Sequence, residues 1–326
     1  MPLARREFLR LGNAAAIAAV IPSLAFAQTY PARPVHIIVG FGPGGAADIL
    51  ARLIGQRLSE QLGRPFIIEN RPGASANIAT EAVVRAPGDG YTLLLTHHGN
   101  AINASLYDRL NFDFVRDITP VGAIAVFAGV MEVSPSFPAQ TVPEFITYAK
   151  AHPGKITMAT SGTGSIAQMW GELFKMAAGV DLISVPYRGG SGPALTDLIG
   201  GQVDVTFDPI PSSIEFIKAG KLRALGVTSA RRAEQLPDVP TIGEFVRNYD
   251  AIGWNGIGAP KNTPPEIIEK LNKEIGTALA DPELKARIAE LGATVVVTSP
   301  AEFATLVAKD VEKWGNVIRT ANIKVD

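Results

Sequence analysis

Residues 35–63 read VHIIVGFGPGGAADILARLIGQRLSEQLG, and this stretch decides the fold. It begins with the apolar run 35–39, whose length and β-branched content predict a buried strand. A glycine-rich turn at 40–45 follows, and the apolar spacing beyond it predicts a helix that ends at Gly63. A helix N-terminus offers unpaired backbone N–H groups and the positive end of its dipole, so this order of elements predicts an anion-binding site.

The same arrangement returns twice further along the chain. Residues 156–160 predict a strand, and SGTGS at 161–165 is a glycine and hydroxyl turn before the next predicted helix. A third glycine-rich turn, YRGGSGP at 187–193, also leads into a predicted helix. This alternation predicts the α/β class, with mainly parallel sheets flanked by helices and ligands bound at the carboxyl ends of strands. Two anion-accepting edges in one chain suggest two parts that face each other.

Residues 1–27 read as an export signal. Arg5, Arg6 and Arg10 form a basic start, an apolar core follows, and the A-x-A motif that ends at Ala27 predicts cleavage after that residue. The sequence RREFL resembles a twin-arginine signal, and an ordinary secretory signal is the alternative. Either route predicts a periplasmic protein.

Composition excludes several classes of function. Without the export signal the chain has 27 basic and 30 acidic residues, a net charge of −3, and no dense basic run, so neither nucleic acid nor a membrane surface is an expected partner. Cysteine is absent, which excludes disulfides and thiolate chemistry. A mature chain of about 300 residues predicts two domains. We expect domain 1 to comprise 28–130 plus 250–326, and domain 2 to comprise 131–249.

The opening turn also matches the dinucleotide fingerprint G-x-G-x-x-G, with Glu69 at the end of the next predicted strand. The alternative function is therefore an exported NAD(P)-dependent oxidoreductase. Two features disfavour it, because Pro43 removes a backbone donor from the loop and Asp48 would place a carboxylate beside a pyrophosphate. A loop that needs its glycines only for the turn is the simplest structural alternative.

The histidines and serines near the strand ends form no catalytic or metal-binding pattern. His97 and His98 are adjacent, so on an extended chain they point to opposite sides, which disfavours a metal. Ser161 and Ser165 lack a G-x-S-x-G elbow, which disfavours a hydrolase and leaves helix capping as their simplest role. We expect no catalytic residue, no cofactor and no metal.

Seven stretches resemble the Bug family, the periplasmic substrate receptors of tripartite tricarboxylate transporters (TctC-like). The resemblance implies a type II periplasmic binding protein, or venus flytrap, which holds a small carboxylate in the cleft between two domains and delivers it to membrane transporter subunits. Dicarboxylates and aromatic acids are both open as ligands, and a monomer is expected. The matching stretches occur in order along most of the length of the mature chain: PGGAADILAR (43–52), ENRPGA (69–74), GDGYTLL (88–94), SGTGS (161–165), VPYRGGSGPALTDLIGGQVDVTFD (185–208), GKLRALGVTSARRAEQLPDVPTIGE (220–244) and APKNTPPEIIEKLN (259–272).

The resemblance also implies which residues bind the ligand. The first glycine turn and the facing hydroxyl turn hold a carboxylate, partly through water, and residues of the third turn and a strand end line the wall and the far end. Polar residues at the end of the 91–96 strand and in the first turn of the opening helix complete the predicted site. The predicted ligand-binding residues are Phe41, Gly44, Gly45, Ala46, Asp48, His97, Asn100, Ser161, Thr163, Gly164, Ser165, Tyr187, Gly189 and Asp208.

The chain departs from the family pattern at three places. Gln168 stands where a histidine is usual, Ser75 and Ala76 where a glycine pair is common, and the His97–His98 pair in a segment usually rich in small and hydroxyl residues. The fold prediction is unaffected, and the identity of the carboxylate stays open. The expected mechanism is closure about a hinge near 128–131 and 248–253, because a ligand attracted by two helix N-termini stabilises the closed arrangement. No bond is made or broken, so no turnover is expected.

Overall fold

Helices and strands alternate along the chain in nearly the order that the sequence predicts. The structure is a computed structural model that describes residues 30–187 and 190–325, so the predicted export signal at 1–27 and the predicted ligand residue Gly189 lie outside the described residues. Residues Arg33–Asp326 form one compact unit. All of the elements below belong to that unit.

The strands are β1 (Val35–Val39), β2 (Phe66–Asn70), β3 (Thr92–His97), β4 (Ile118–Val133), β5 (Ile156–Thr160), β6 (Leu182–Pro186), β7 (Val205–Pro209), β8 (Arg223–Val227), β9 (Ile252–Pro260) and β10 (Thr294–Val295). The helices are α1 (Ala46–Leu62), α2 (Asn77–Val84), α3 (His98–Leu106), α4 (Phe114–Asp117), α5 (Val142–Ala151), α6 (Ile166–Ala178), α7 (Ser191–Ile199), α8 (Ile210–Lys218), α9 (Pro265–Ala280), α10 (Pro282–Glu290) and α11 (Pro300–Thr320). Short 3₁₀ helices cover Ala74–Ala76 and Ile242–Glu244.

The opening stretch has the predicted structure. Strand β1 is buried over most of its length, and α1 begins directly after the glycine turn. Gly63 ends the helix in the left-handed conformation, with φ 67°, and its N–H donates to the carbonyl of Ser59. This is the αL cap that glycine adopts without steric penalty.

The strands form one curled sheet. Its main path is β2-β1-β3-β9-β4-β7-β5-β6, and β8 and β10 each pair with β4. The outer strands are parallel: β1 pairs with β2 and β3, and β5 pairs with β6 and β7. The central strands β4 and β9 run antiparallel to their neighbours. The predicted α/β class is confirmed, and the antiparallel centre is an addition that local hydrophobic patterns do not encode.

Strand β4 changes partners along its length. Up to Ala128, which faces Ile252, it pairs with β9, and from Gly129, which faces Pro209, it pairs with β7. Its first part therefore belongs to the half of the sheet whose strand β1 leads into the first glycine turn. Its last part belongs to the half whose strand β5 leads into the second glycine turn.

The hydrophobic core extends through both halves of the sheet. Trp170, Trp254 and Trp314 are fully buried in one cluster together with residues of β1, α3, α5 and β7. Trp254 Nε1 donates to the Asp310 carboxylate at 2.7 Å, which satisfies a buried donor. Since the two halves share this core, the glycine turns are carried on a common packed scaffold.

Helix α3 is absent from the sequence prediction. It follows β3 without a break, and its buried residues include Asn100 and Asn103, which make side-chain hydrogen bonds to neighbouring elements. Buried polar residues of this kind interrupt the apolar periodicity by which helices are recognised. Across the residues described, every helix is too short or too polar to cross a bilayer.

Candidate ligand-binding site

The first glycine turn leaves the N-terminus of α1 open. Gly44 has φ 86°, a conformation that L side chains rarely adopt, and Gly45 is the N-cap residue. Among the described residues no side chain caps Gly45, and the turn is exposed from Phe41 to Ala46. The first backbone N–H groups of α1 have no acceptor within the helix, so they are available to an anion.

Asp48 holds the first turn in shape. This buried carboxylate accepts hydrogen bonds from the Gly44 N–H at 2.9 Å, Arg52 Nε at 2.9 Å and Asn70 Nδ2 at 2.8 Å. The hydrogen bond from Arg52 is the main cause that lowers the pKa of Asp48 to about 2. Asn70 also donates to the carbonyl of Phe41 at 3.0 Å. These contacts give Asp48 a role in shaping the turn, and its contact with the ligand stays a prediction.

At the second glycine turn, 161–165, the start of α6 is capped by side chains of Ser165 and Gln168. The Ser165 hydroxyl accepts from the Gln168 N–H at 3.3 Å, and Gln168 Oε1 accepts from the Gly164 N–H at 2.8 Å. Because the Ser165 hydroxyl accepts this bond, its proton is left for another acceptor. Thr163 is exposed and Ser161 half-buried, so the hydroxyl groups of the turn border the surface that an anion would reach.

Helix α3 joins the two turns. The ring of Phe41, in the first turn, contacts the ring of His97 at the N-cap of α3, with centroids 4.7 Å apart. At the other end of the helix, the side chain of Leu106 fills the space where a Cβ of Gly164 would lie. From His98 to Leu106 the helix advances about 12 Å. The two turns are thus held at the two ends of one short helix.

A row of aromatic rings connects the same regions by a second route. His97 contacts His98 with centroids 5.5 Å apart, His98 contacts Phe127 at 5.5 Å, and Phe127 contacts Trp170 at 6.2 Å. Trp170 lies in α6, the helix that the second turn begins. The row therefore starts at Phe41 in the first turn and ends beside the second. Phe127 and Trp170 were not predicted as site residues, because a buried apolar residue carries no local signal of a ligand.

The histidines of this row are neutral. Burial is the main cause that lowers the pKa of His97 well below its usual value, and the neighbouring His98 adds to it. Burial also lowers the pKa of His98 to about 4, against the opposing effects of Asp310 and the Trp254 carbonyl. Asn100, a predicted ligand residue, accepts from the His97 N–H at 2.8 Å and donates to Thr80 at 2.9 Å. Its side chain stabilises the start of α3.

Tyr187 and Asp208, the predicted residues near the third turn, each form a hydrogen bond with another side chain. The Tyr187 hydroxyl donates to Asp197 in α7 at 2.7 Å, and burial, followed by Asp197, raises the pKa of Tyr187 to about 12. Asp208, at the end of β7, accepts from the Ser191 hydroxyl at 2.7 Å. Tyr187 thus directs its hydroxyl at the protein, and Asp208 ties the start of α7 to the sheet.

A second buried carboxylate, missed in the sequence, accompanies Asp208. Glu132 in β4 is fully buried, and the register of β4 with β7 places it on the same face as Asp208. Burial is the main cause that raises the pKa of Asp208 to about 6. Burial also raises the pKa of Glu132 well above its usual value, and the neighbouring Asp208 adds to this rise. The only sequence signal for Glu132 is an acid inside an otherwise apolar strand.

The dinucleotide alternative finds no support in this geometry. Glu69, the residue expected to bind a ribose, accepts from Arg71 at 2.8 Å and lies 2.5 Å from His36 Nδ1. The Gly44 N–H, which would face a pyrophosphate, is bonded to Asp48. Within the described part of the chain, no three histidine, aspartate or glutamate side chains gather as metal ligands.

Comparisons with known proteins agree with the fold. The profile of the family described as "Tripartite tricarboxylate transporter family receptor" (TctC) matches residues 50–323. BugT of Bordetella pertussis is 35% identical over 302 residues, which cover 92% of this chain and 92% of that protein. The solved structure of R. palustris Rpa4515 with adipate is 38% identical with a TM-score of 0.76 and covers 90% of this chain and 99% of that chain. MatC from Rhodopseudomonas palustris with bound malate is 32% identical with a TM-score of 0.72, covering 89% and 100%.

The fold and the paired glycine turns define a solute-binding receptor. The chain belongs to the TctC family of tripartite tricarboxylate transporter receptors. The resemblance to the Bug family read from the sequence is confirmed, and the oxidoreductase alternative has no support among these relatives.

Proposed function

We propose that this receptor binds one small carboxylate between its two glycine turns and delivers it to a membrane transporter of the tripartite tricarboxylate type. The observation that carries the proposal is that two glycine turns, each at the start of a helix, both contact α3. The structures of Rpa4515 with adipate and MatC with malate, both relatives, support this ligand class.

The proposed site uses backbone amides more than charged side chains. The open N–H groups at the start of α1 take one part of the carboxylate, and the hydroxyl groups of Ser161, Thr163 and Ser165 take another. Charge-assisted hydrogen bonds of this kind are short and strong even though no lysine or arginine is required. Asp48 and Gln168 contribute indirectly, because each fixes the conformation of one turn.

Ligand binding is proposed to draw two lobes together. The lobes comprise 28–130 plus 250–326, and 131–249, and the change of partner of β4 at Ala128 and Gly129 supports a hinge there. A carboxylate that contacts both turns favours the closed arrangement by the difference between its affinities for the closed and open states. Small-angle X-ray scattering with and without ligand tests this, since closure lowers the radius of gyration.

The receptor is proposed to act outside the cytoplasm as a monomer without catalytic turnover. The export signal at 1–27, with cleavage after Ala27, would deliver it to the periplasm, where the transporter subunits accept the ligand. Mass spectrometry of the secreted protein tests the cleavage site, and light scattering tests the oligomeric state. Recovery of each bound carboxylate unchanged after long incubation tests the absence of turnover.

Isothermal titration of the mature protein with mono- and dicarboxylates tests the function directly. We expect at least one small carboxylate to bind with a micromolar or lower Kd, and no binding of NAD or NADP. A panel in which no carboxylate binds below millimolar concentration contradicts the proposal.

A matched pair of variants at Ala46 tests the role of the first turn. Ala46 is the first residue of α1, where proline is tolerated, so Ala46→Pro removes one backbone N–H while keeping the helix. Ala46→Ser keeps that N–H and is the control. We expect Ala46→Pro to weaken carboxylate binding by about ten- to a hundredfold, as for loss of a hydrogen bond to a charged group. Equal affinities of the two variants would exclude this amide from the site.

A further inference from the structure

A groove of about 740 Å³ lies between the end of α3 and the end of α11. Its floor is apolar, with Leu106 and Ile318 buried and Ile323 half-buried. Among the described residues, none of the predicted ligand residues lines the groove, so it is separate from the proposed carboxylate site. An apolar centre within a polar rim is the usual make-up of a surface that binds another protein.

Three cationic side chains form the rim of this groove. Arg109 follows α3, Arg319 lies in the last turn of α11 and Lys324 lies in the segment after it, and all three are exposed. Across residues 30–187 and 190–325, their charged groups have no ion pair or hydrogen bond. Asp108 also lines the groove, so three positive charges and one negative give this lining a net charge of +2. The mature chain as a whole has a net charge of −3, so the groove is a positive surface on an acidic protein.

The position of Arg319 follows from the crossing of α3 and α11. A Cβ added to Gly315 would lie 2.7 Å from Ser105 Oγ, in α3, and 3.1 Å from Arg319 Nη1. The guanidinium therefore lies over a helix backbone that has no side chain there, beside the groove. A cation near a helix C-terminus also favours the helix dipole, which is the simplest role for Arg319. That role does not account for Arg109 and Lys324, which lie outside α11.

We propose that this groove docks a short acidic segment of a protein partner, with an apolar side chain on the floor and carboxylates at the rim. Charge complementarity supports an acidic partner, and the apolar floor favours a peptide segment over an inorganic anion. The proposal rests on the proposed function, because we take the partner to be the membrane transporter subunit that receives the ligand. Opposite charges on the two proteins also speed their encounter.

The groove lies next to residues that contact both glycine turns. Leu106, in its floor, fills the space beside Gly164 of the second turn. Tyr107, in its wall, donates from its hydroxyl to Ser75 Oγ at 3.1 Å, and Ala76, which follows Ser75, packs against Gly40 at the start of the first turn. A partner seated in the groove is therefore close to the proposed site from which the ligand is released.

Fluorescence anisotropy with labelled peptides tests the proposal on the mature protein at pH 7.5. The probe is a six-residue peptide with two central leucines and two acidic residues on each side. In one control peptide asparagine and glutamine replace the acids, and in the other serine replaces the leucines. At about 20 mM salt we expect the probe to bind with a Kd below about 1 mM and about tenfold more tightly than either control. Its affinity should fall severalfold at about 200 mM salt, because ions screen exposed charges.

Charge-reversal variants locate the binding surface. Arg319→Glu and Lys324→Glu should each weaken binding of the probe by about fivefold or more. Their affinity for a carboxylate ligand should stay within about twofold of wild type, which shows that each variant is folded. Lys309→Glu is the matched control, because Lys309 is exposed on the same helix, α11, but outside the groove. It changes the net charge equally and should weaken the probe by less than about twofold.

The outcomes separate this inference from the proposed function. If the probe does not bind, or if Lys309→Glu weakens it as much as Arg319→Glu, the inference is wrong, while carboxylate titration still tests the function. If the probe binds but no carboxylate does, the docking site is supported and the proposed function is wrong.

Two other occupants of the groove are distinguished by further measurements. Sedimentation of the receptor with phosphatidylglycerol vesicles, lost in Arg319→Glu and without binding of the probe, would assign the groove to a lipid headgroup and overturn the proposal. Asp326 lies outside the described residues, and Asp326→Asn followed by a neutral glycine-serine tail removes its charge from the chain terminus. We expect this variant to bind the probe as wild type does. A rise in affinity of about tenfold would show that the terminus itself occupies the groove, which also overturns the proposal.

Discussion

Leu106 occupies the position where a Cβ of Gly164 would lie. Gly164 has φ 75°, and the Cδ2 atom of Leu106 lies 2.3 Å from the position that an ideal Cβ would take. The end of α3 and the second glycine turn are therefore packed without any space for a side chain. This contact sets the distance between the second turn and α3. Because α3 has His97 at its other end, beside the first turn, a change at Gly164 affects the positions of both turns.

Substitution of Gly164 should be costly for this reason. Gly164→Ala combines a left-handed alanine with overlap on Leu106, and we expect the free energy of unfolding to fall by about 2–4 kcal/mol. Gly179, the C-cap of α6, has φ 64° and open space around it, so Gly179→Ala should lose only about 1 kcal/mol. Urea unfolding of both variants measures the difference.

A double-mutant cycle isolates the overlap. If Leu106 is the clashing group, Leu106→Ala combined with Gly164→Ala should be more stable than the sum of the single effects by about 1 kcal/mol or more. Additive effects would mean that the two residues do not meet in this way.

Asp48 should give the first turn a characteristic pH dependence. Its folded pKa of about 2 lies below the ordinary 3.8, so its stabilising effect is complete above the ordinary value and is lost as the pH falls towards 2. We expect wild type to exceed Asp48→Asn by about 1–2 kcal/mol in unfolding free energy at pH 7. That excess should shrink steadily between pH 4 and pH 2. A gap that stays constant over this interval would show that the carboxylate charge has no part in holding the turn.

Glu132 should make the stability of the protein depend on pH in the opposite direction from Asp48. Its pKa is raised in the folded protein, so stability is highest below the ordinary value of 4.5 and falls as the pH rises towards the folded pKa. Glu132→Gln keeps the shape of the protonated acid and removes the titration. We therefore expect the variant to gain stability relative to wild type from pH 5 to pH 8, measured by urea unfolding at each pH. A relative loss at pH 8 would contradict the buried, protonated state.

A glycine substitution should relieve backbone strain in the segment before α2. Ala74, Ser75 and Ala76 have φ values of 46°, 52° and 71°, and Ala76 packs against Gly40 at the start of the first turn. Removing one left-handed alanine should outweigh the greater flexibility of glycine, so Ala76→Gly should stabilise the protein by up to about 1 kcal/mol. Ala79→Gly, inside α2, is the control and should destabilise it. Thermal unfolding distinguishes the two, and a lower Tm for Ala76→Gly would count against the strain.

Local patterns predicted most of the secondary structure and the positions of the glycine turns. Gly63 and Ser165 cap their helices as expected, because caps depend on a few neighbouring residues. The tertiary contacts that surround the two turns could not be predicted from local patterns. Leu106 and Gly164, or Phe127 and Trp170, are far apart in sequence, and only the packed fold brings them together. Likewise, nothing local to Asp48 shows that its carboxylate serves the turn.

The central claim is that one carboxylate bridges both glycine turns. A crystal structure of the mature protein with the tightest acid found by titration tests it most directly. The account predicts carboxylate oxygens within hydrogen-bond distance of the N–H groups at the start of α1 and, directly or through one water, of the hydroxyl groups at 161–165. A carboxylate that contacts only one of these turns, or lies outside both, would contradict it.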